Sequence, residues 1–506
     1  MRNSNHAIKF LLAQYRAIFK RAYIKGLASA VLLTAGLAAG QAQAATDALT
    51  DATKLPLNSG DQVLIDGSTT PNDNKYDALQ ISGGTQSFNG TITISSGTAK
   101  GSGNYFKGSS ELKITGDGTI TIKTADTTQG LAIIGSGNNT TSLDIGTINL
   151  NQGTLLVTTN KDNGGNVSAA ADIVTVGTAT AATQERTALL TLRANADGKT
   201  VTFGNENSDI TVNGNGRLDL EATSGSITIS GAALTLNNGA FMLTTNSGGK
   251  LNTSGTISVD TYTINSDASH VISGSDSKYV TEIFNGQTAN FAGNLLIASG
   301  NTWQLEPTIP AKEAERVSGA GFVTLADGSN TVVGGTITVN SGTLTVAEGA
   351  KLHASGTAGV IEVLDASDTS DSVLTISSNN LTRFLTGKDT ADSGSTYTEI
   401  KADGTLGEAN KATGASGAIV LSGGRLELTD TTPIELNTFS FKAIDGTDGT
   451  KGVISFHSGS ANTIYAQDLV LKGQLKSGDD TISANKNLWL ESHTLTLGDS
   501  SKQDRD

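Results

Sequence analysis

The sequence predicts an all-β fold: a right-handed parallel β-helix (β-solenoid) with an N-terminal cap and loop insertions. Three observations carry this expectation. One strand pattern, alternating apolar residues with threonine, recurs along most of the 506 residues. Its segments are three to five residues long and end in Gly, Asn or Asp corners, too short for a sandwich of long strands. Helical crossovers, which an open parallel sheet needs, do not separate them.

The pattern is clearest from Gly334 to Val346, where Thr336-Ile-Thr-Val339 and Thr343-Leu-Thr-Val346 flank Asn340-Ser-Gly342. Side chains alternate along a strand, so Ile337 and Val339 face the core and Thr336 and Thr338 face water. Asn and Gly supply the backbone angles of a tight corner. The motif returns at Gly90–Ile94, Gly118–Ile122, Gly225–Ile229, Leu234–Leu236, Leu426–Leu428 and Thr494–Leu497. Strand starts at 336 and 343 are seven residues apart, whereas those at 91 and 119 are 28 apart, so no strict period is read. At roughly 20–25 residues per turn, residues 85–497 give on the order of 17–20 turns.

Residues 1–44 read as a secretion signal peptide with an extended basic n-region. Arg2, Lys9, Arg16, Lys20, Arg21 and Lys25 precede an apolar run from Leu27 to Ala39, and Ala42-Gln-Ala44 is a small-x-small cleavage site. Residues 45–85 are less regular. Val63-Leu-Ile65 is a buried strand there, and the segment is expected to cap the first open edge of the solenoid. Residues 86–506 form the solenoid. Two insertions are expected to project as loops. One lies near 303–320, with a brief helix over Ala311–Val317; the other spans 378–417, including Leu381-Thr-Arg-Phe-Leu385.

Composition bounds the chemistry. There is no cysteine, which excludes disulfides, thiolate metal sites and thiol nucleophiles. Net charge is −14, and six of the 34 basic residues lie before residue 45, where no acid does. The rest has 28 bases against 48 acids, so nucleic acid is not an expected partner.

No catalytic, cofactor-binding or metal-binding residue is assigned. His6, His270, His353, His457 and His493 are scattered, and scattered histidines are expected at the surface or in clefts. The Gly-x-Gly pairs at 101/103, 135/137, 214/216 and 319/321 lack the third glycine and the lysine of nucleotide loops. Asp365, Asp368 and Asp371, and Asp479-Asp480, read as solvated turns. A glycan-cleaving groove would need carboxylates converging with arginine. Arg186, Arg193, Arg217, Arg316, Arg383 and Arg425 are available, but one sequence does not show which of them meet.

The signal, the missing cysteine and the Gly-Thr-apolar-Thr-apolar motif together resemble an autotransporter passenger, or a related large adhesin, of Gram-negative bacteria. The likeness covers about residues 85–497 and is one of style. It implies an exported cell-surface or extracellular β-helix, associated with the outer membrane and acting without catalysis by multivalent surface binding. Its partners would be host or bacterial cell-surface glycans or proteins, or further copies of itself. The membrane barrel of such proteins is expected on sequence outside this chain, or export falls to separate machinery. Two alternatives stay open: a polysaccharide lyase or hydrolase on a β-helix, and a passive structural spacer.

Overall fold

The computed structural model describes residues 49, 55, 58–67, 75–76, 78–97, 103–108, 110–137, 139–162, 164–178, 185–246, 253–274, 280–306, 323–355, 359–364, 372–387, 396–403, 405–409, 411–412, 415–430, 434–435, 441–444, 452–457, 462–471, 476–477, 480–481 and 488–497. The expected signal over 1–44, the helix over 311–317, and Asp365, Asp368, Asp371 and Asp479 lie outside them.

These residues wind into a parallel β-helix. A typical turn presents a strand to each of three faces. In one turn Thr336–Val339 lies on face 1, Thr343–Val346 on face 2 and Lys351–Ala354 on face 3. Each strand pairs in parallel with its counterpart one turn away, as Thr302–Leu305, Thr336–Val339 and Val360–Leu364 do on face 1. Long strands such as Thr141–Thr159 bend round the corners and serve all three faces in turn.

The register explains both spacings seen in the sequence. Seven residues is the step from one face to the next within a turn. Twenty-eight is the step between turns: Thr91 stacks on Thr119, and Thr119 on Thr147. Elsewhere the step ranges from 21 residues, Val323 to Leu344, to 58, Val360 to Ala418, where a helix and a strap, described below, are inserted. A turn is thus longer than the expected 20–25 residues, and fewer turns fill the same length. The reason is that each turn carries three strands and three corners.

Stacking in register places like on like. Ile92, Ile120, Ile148, Val174, Ile210 and Leu234 form one inward column on face 2, all buried. The outward column beside it runs Thr93, Thr121, Asn149, Thr175, Thr211, Thr235, Thr263, Asn290, Thr324, Thr345, Thr375 without a charge. Asparagines clamp a corner. Asn265 donates to Asn237 at 3.0 Å, Asn237 to Asn213 at 2.8 Å, and Asn213 to the Gly177 carbonyl at 2.9 Å. The corners also need glycine: Gly130 has φ +148, and a Cβ there would lie 1.8 Å from the Thr154 carbonyl oxygen.

Four expectations change. Val63-Leu-Ile65 is a strand as read, but Gln62–Ile65 stacks directly on Thr91–Ile94 as part of the helix. Trp303–Leu305, placed at the start of the first insertion, belongs to a stacked strand, Thr302–Leu305, with Trp303 fully buried. Ser378–Thr386, placed in the second, is a helix that takes the position of a face-3 strand and lies against Lys351–Ala354. It buries Leu381, Phe384 and Leu385, is capped by the Ser377 side chain, and ends at Gly387 with φ +67. Thr338 points outward yet is only 8% exposed, flanked by Gln304 and Glu362. Glu362 beside it is half-buried, and burial raises its carboxyl from the ordinary value while His457 opposes the shift.

Candidate functional site

Face 3 carries the densest outward chemistry. Two rows run along it in register: Leu189, Arg217, Phe241 and Arg193, Glu221, Thr245. Asp219 lies between them, two residues from Arg217 on the same strand and therefore on the same side. Arg217 Nε donates to Asp219 Oδ1 at 2.7 Å, and Arg193 pairs with Glu221 one turn on. Arg186 reaches in from the preceding corner, donating to the carbonyls of Gly214, at 2.9 Å, and Gly239. The guanidinium carbons of Arg186 and Arg217 stand 5.8 and 5.2 Å from the centre of the fully buried Phe241 ring.

The electrostatics follow from this crowding. Burial, then the like charge of Arg217, lowers the Arg186 guanidinium from its ordinary value, while Asp403 opposes the shift. Burial raises the Asp219 carboxyl against its hydrogen bond from Arg217.

Asp403 belongs to a strap, the second half of the expected 378–417 insertion. Thr396–Tyr397 pairs antiparallel with Lys411–Ala412, and Ile400 bridges to Leu406. The strap does not project. Ile400 and Tyr397 lie on an apolar strip of face 3 built from Phe241, Val271 and Val332 with Leu243 and Leu296. Asn330 Nδ2 donates to the Thr398 carbonyl at 2.8 Å, and the Tyr397 ring lies 5.6 Å from that of His353. Alternation accounts for the difference: Phe241, Leu243, Val271, Leu296 and Val332 are apolar residues at outward positions, and something must cover them.

Comparison with family models, curated proteins and solved structures returned nothing. The site therefore rests on its own geometry. Of the arginines read from the sequence, the fold brings Arg186, Arg193 and Arg217 together. Arg425 sits elsewhere, on face 2, bonded to Glu427 at 2.7 Å and lying over Tyr465. Arg383 is in the helix, donating to Asn380 Oδ1 at 2.8 Å, and Arg316 is outside the described residues. The shared wording Arg217-Leu-Asp-Leu220 and Arg425-Leu-Glu-Leu428 is the sequence signal for both outward Arg–carboxylate pairs.

Strap closure should depend on pH. The Lys411 ammonium, first of several causes, holds the Glu399 carboxyl below its usual range, and the Thr405 hydroxyl does the same for Asp403. A carboxyl depressed in the folded state adds stability above the ordinary carboxylate pKa of about 4, lost as pH falls through the folded value. Amide exchange across 396–412, corrected for intrinsic rates, should speed up below about pH 4, with Thr343–Val346 unchanged. Equal protection of the strap at pH 3 and pH 6 would refute this.

The histidines also differ from expectation. His353 is buried, and His270 lies in the axis at 0% exposure. Its Nε2 is 3.0 Å from Glu282 Oε2, and its Nδ1 is 3.1 Å from the Tyr262 hydroxyl. The Thr244 hydroxyl donates to the same Glu282 oxygen, and Tyr262 also reaches Met242 Sδ at 3.3 Å. Burial, then the Glu282 charge, raises the Tyr262 hydroxyl well above its ordinary value, so it remains a donor. Glu282 Oε1 is buried without a hydrogen-bond partner among the described residues. Three faces contribute to this knot, which is why sequence spacing hid it. It is closed off from solvent.

One open concavity of about 590 Å³ lies at the corner of faces 1 and 2, lined by Gly204, Asn205, Glu206, Asn207, Ser230, Gly231, Ser258 and Asp260. Among the described residues there is no cluster of three metal-ligating side chains, and no helix is long and apolar enough to cross a membrane.

Proposed function

We propose that the chain is an exported cell-surface protein of the autotransporter-passenger or adhesin type, binding surface molecules through many weak contacts. The observation that carries this reading is the uncharged outward column from Thr93 to Thr375. It repeats one small polar site at every turn, about 4.8 Å apart. Repeated weak sites on a rigid support gain avidity without any one being strong. The Arg–carboxylate patch fits binding better than lytic chemistry. Asp219 and Glu221 are each engaged by an arginine, so neither is poised as a free base. The strap supports a binder over a bare spacer, because a spacer has no use for a covered apolar strip on one face.

The test is display of the full chain on a bacterial surface, scored for attachment to host cells and to other bacteria. Attachment should exceed that of an empty control, and the exported chain should begin at or near Ala45. Surface display without attachment would sink the adhesin reading. Turnover of a polysaccharide, abolished by one carboxylate substitution, would favour the lyase or hydrolase.

A further inference from the structure

We infer that the buried knot of Thr244, Tyr262, His270 and Glu282 is a register lock: it fixes which turn of the helix stacks on which.

A β-helix built from similar turns has its own way to misfold. It can skip a turn, stacking residues 280–297 directly on 226–245 and extruding 253–272. Most of the interior would not resist. The inward column of Glu282 holds Val201, Ile227 and Gly255 before it and Trp303, Ile337 and Ile361 after it, and one apolar residue packs on another at any turn. The outward face is no more discriminating. A skip sets Thr235 against Asn290 in place of Thr263, one small polar residue for another. The asparagine clamp is equally blind. Asn213, Asn237 and Asn265 hold the same corner at successive turns, so removing one turn still brings asparagine onto asparagine.

The knot is not blind. Each of its four side chains is the only one of its type in its inward column among the described residues. They come from three consecutive turns: Thr244 from the first, Tyr262 and His270 from the second, Glu282 from the third. All four are fully buried. Glu282 Oε2 meets the Thr244 hydroxyl and, at 3.0 Å, His270 Nε2, while the Tyr262 hydroxyl closes the group at 3.1 Å from His270 Nδ1. Skipping the middle turn removes imidazole and phenol together and leaves Glu282 in an apolar interior. Skipping the first removes Thr244. A slip of two residues, which keeps inward residues inward, carries Glu282 about 6.6 Å along its strand, beyond hydrogen-bond reach of His270. Each wrong stack therefore buries polar groups without partners, a cost that the apolar columns do not impose.

Gly255 is a second, independent observation. It stacks directly beside Glu282, at the inward place that Val201 and Ile227 take in the two preceding turns. A glycine inside a strand weakens it and marks a close approach. A Cβ at this position would meet the Thr244 Cγ2 at 3.5 Å, so the larger side chain usual in this column would fill the space in which Thr244 reaches Glu282. The middle turn thus omits a side chain where groups from the turns on either side meet. Stability alone does not call for this arrangement, because well-packed apolar residues of similar volume serve as well or better. What they do not supply is discrimination between turns.

The chain has no cysteine, so introduced pairs report stacking without background. Thr235→Cys with Thr263→Cys joins neighbouring turns, whose strands lie about 4.8 Å apart, within disulfide reach. Thr235→Cys with Asn290→Cys spans two turns, about 9.6 Å, and closes only when the middle turn is skipped. The full chain is unfolded, refolded under reducing conditions and then oxidised, and closure is scored in the monomer. With the knot intact, the neighbouring pair should close and the two-turn pair should stay open. In the background His270→Leu, Glu282→Leu, Thr244→Val, closure of the two-turn pair should rise about 10-fold or more, with strand-rich circular dichroism retained. Should that background fail to fold, Thr244→Val alone decides, with a rise of about 3-fold expected. No rise in a folded variant, or closure of the two-turn pair with the knot intact, overturns the proposal.

Discussion

Ile337→Asp should destabilise the protein by about 5 kcal/mol or more, the exceptional end of single substitutions. Ile337 is fully buried and stacks between Trp303 and Ile361 in the next turns. A carboxylate there has no donor within the apolar axis and also removes the packing of an isoleucine. The matched control is Thr345→Asp, at a half-exposed outward position on face 2, expected to cost within about 0.5 kcal/mol. Thr338 is the natural first choice from the sequence but is a poor control, because it is buried. Denaturant unfolding measures both. Equal losses from Ile337→Asp and Thr345→Asp would contradict the inward–outward assignment. Stability in a stack is local, so amide exchange in Ile337→Asp should rise first in Thr302–Leu305 and Val360–Leu364.

His270→Leu should cost about 3 kcal/mol, the upper end of the penalty for leaving a buried polar group without its hydrogen-bond partner. It strips Glu282 of its imidazole partner and leaves a carboxylate whose Oε1 already lacks one among the described residues. The informative comparison is the triple change His270→Leu, Glu282→Leu, Thr244→Val. Removing every polar member at once leaves nothing unpaired in the axis. The triple variant should therefore be more stable than His270→Leu alone, and additive losses would refute the account. Tyr262 keeps Met242 as a neighbour in either variant.

The two variants also separate what the sequence made legible from what it hid. Ile337 lies in a run whose alternation states its direction, and every such run named from the sequence between Gly90 and Leu497 is a strand of the helix. Glu282 was legible in part, because it takes the inward place between Val280 and Phe284 in an alternating strand. Its partners were not, since His270 and Thr244 come from face 3 at two different turns. The same holds for the arginines. Arg217 and Asp219 share one strand and one side, which spacing reveals. Arg186 arrives from a corner, and Asp403 from a strap far along the chain, and only the fold joins them. The strap was misread because polar composition suggested a free loop. Its two apolar anchors, Tyr397 and Ile400, are too few to stand out until the strip beneath them is seen.

The 28-residue step has a consequence for how this chain changes length. Gly90-Thr-Ile-Thr-Ile94 and Gly118-Thr-Ile-Thr-Ile122 are identical, and Gly146-Thr-Ile-Asn-Leu150 follows at the same interval. Excising the residues between two such marks would bring Gln62–Ile65 against Thr119–Ile122, with every isoleucine still over its equivalent. Duplicating them would add a turn by the same rule. Recombination between these near-copies can therefore shorten or extend the protein in whole turns while preserving the register of all that remains. The number of turns is then a quantity that selection can adjust by counting copies, with no redesign of the interior.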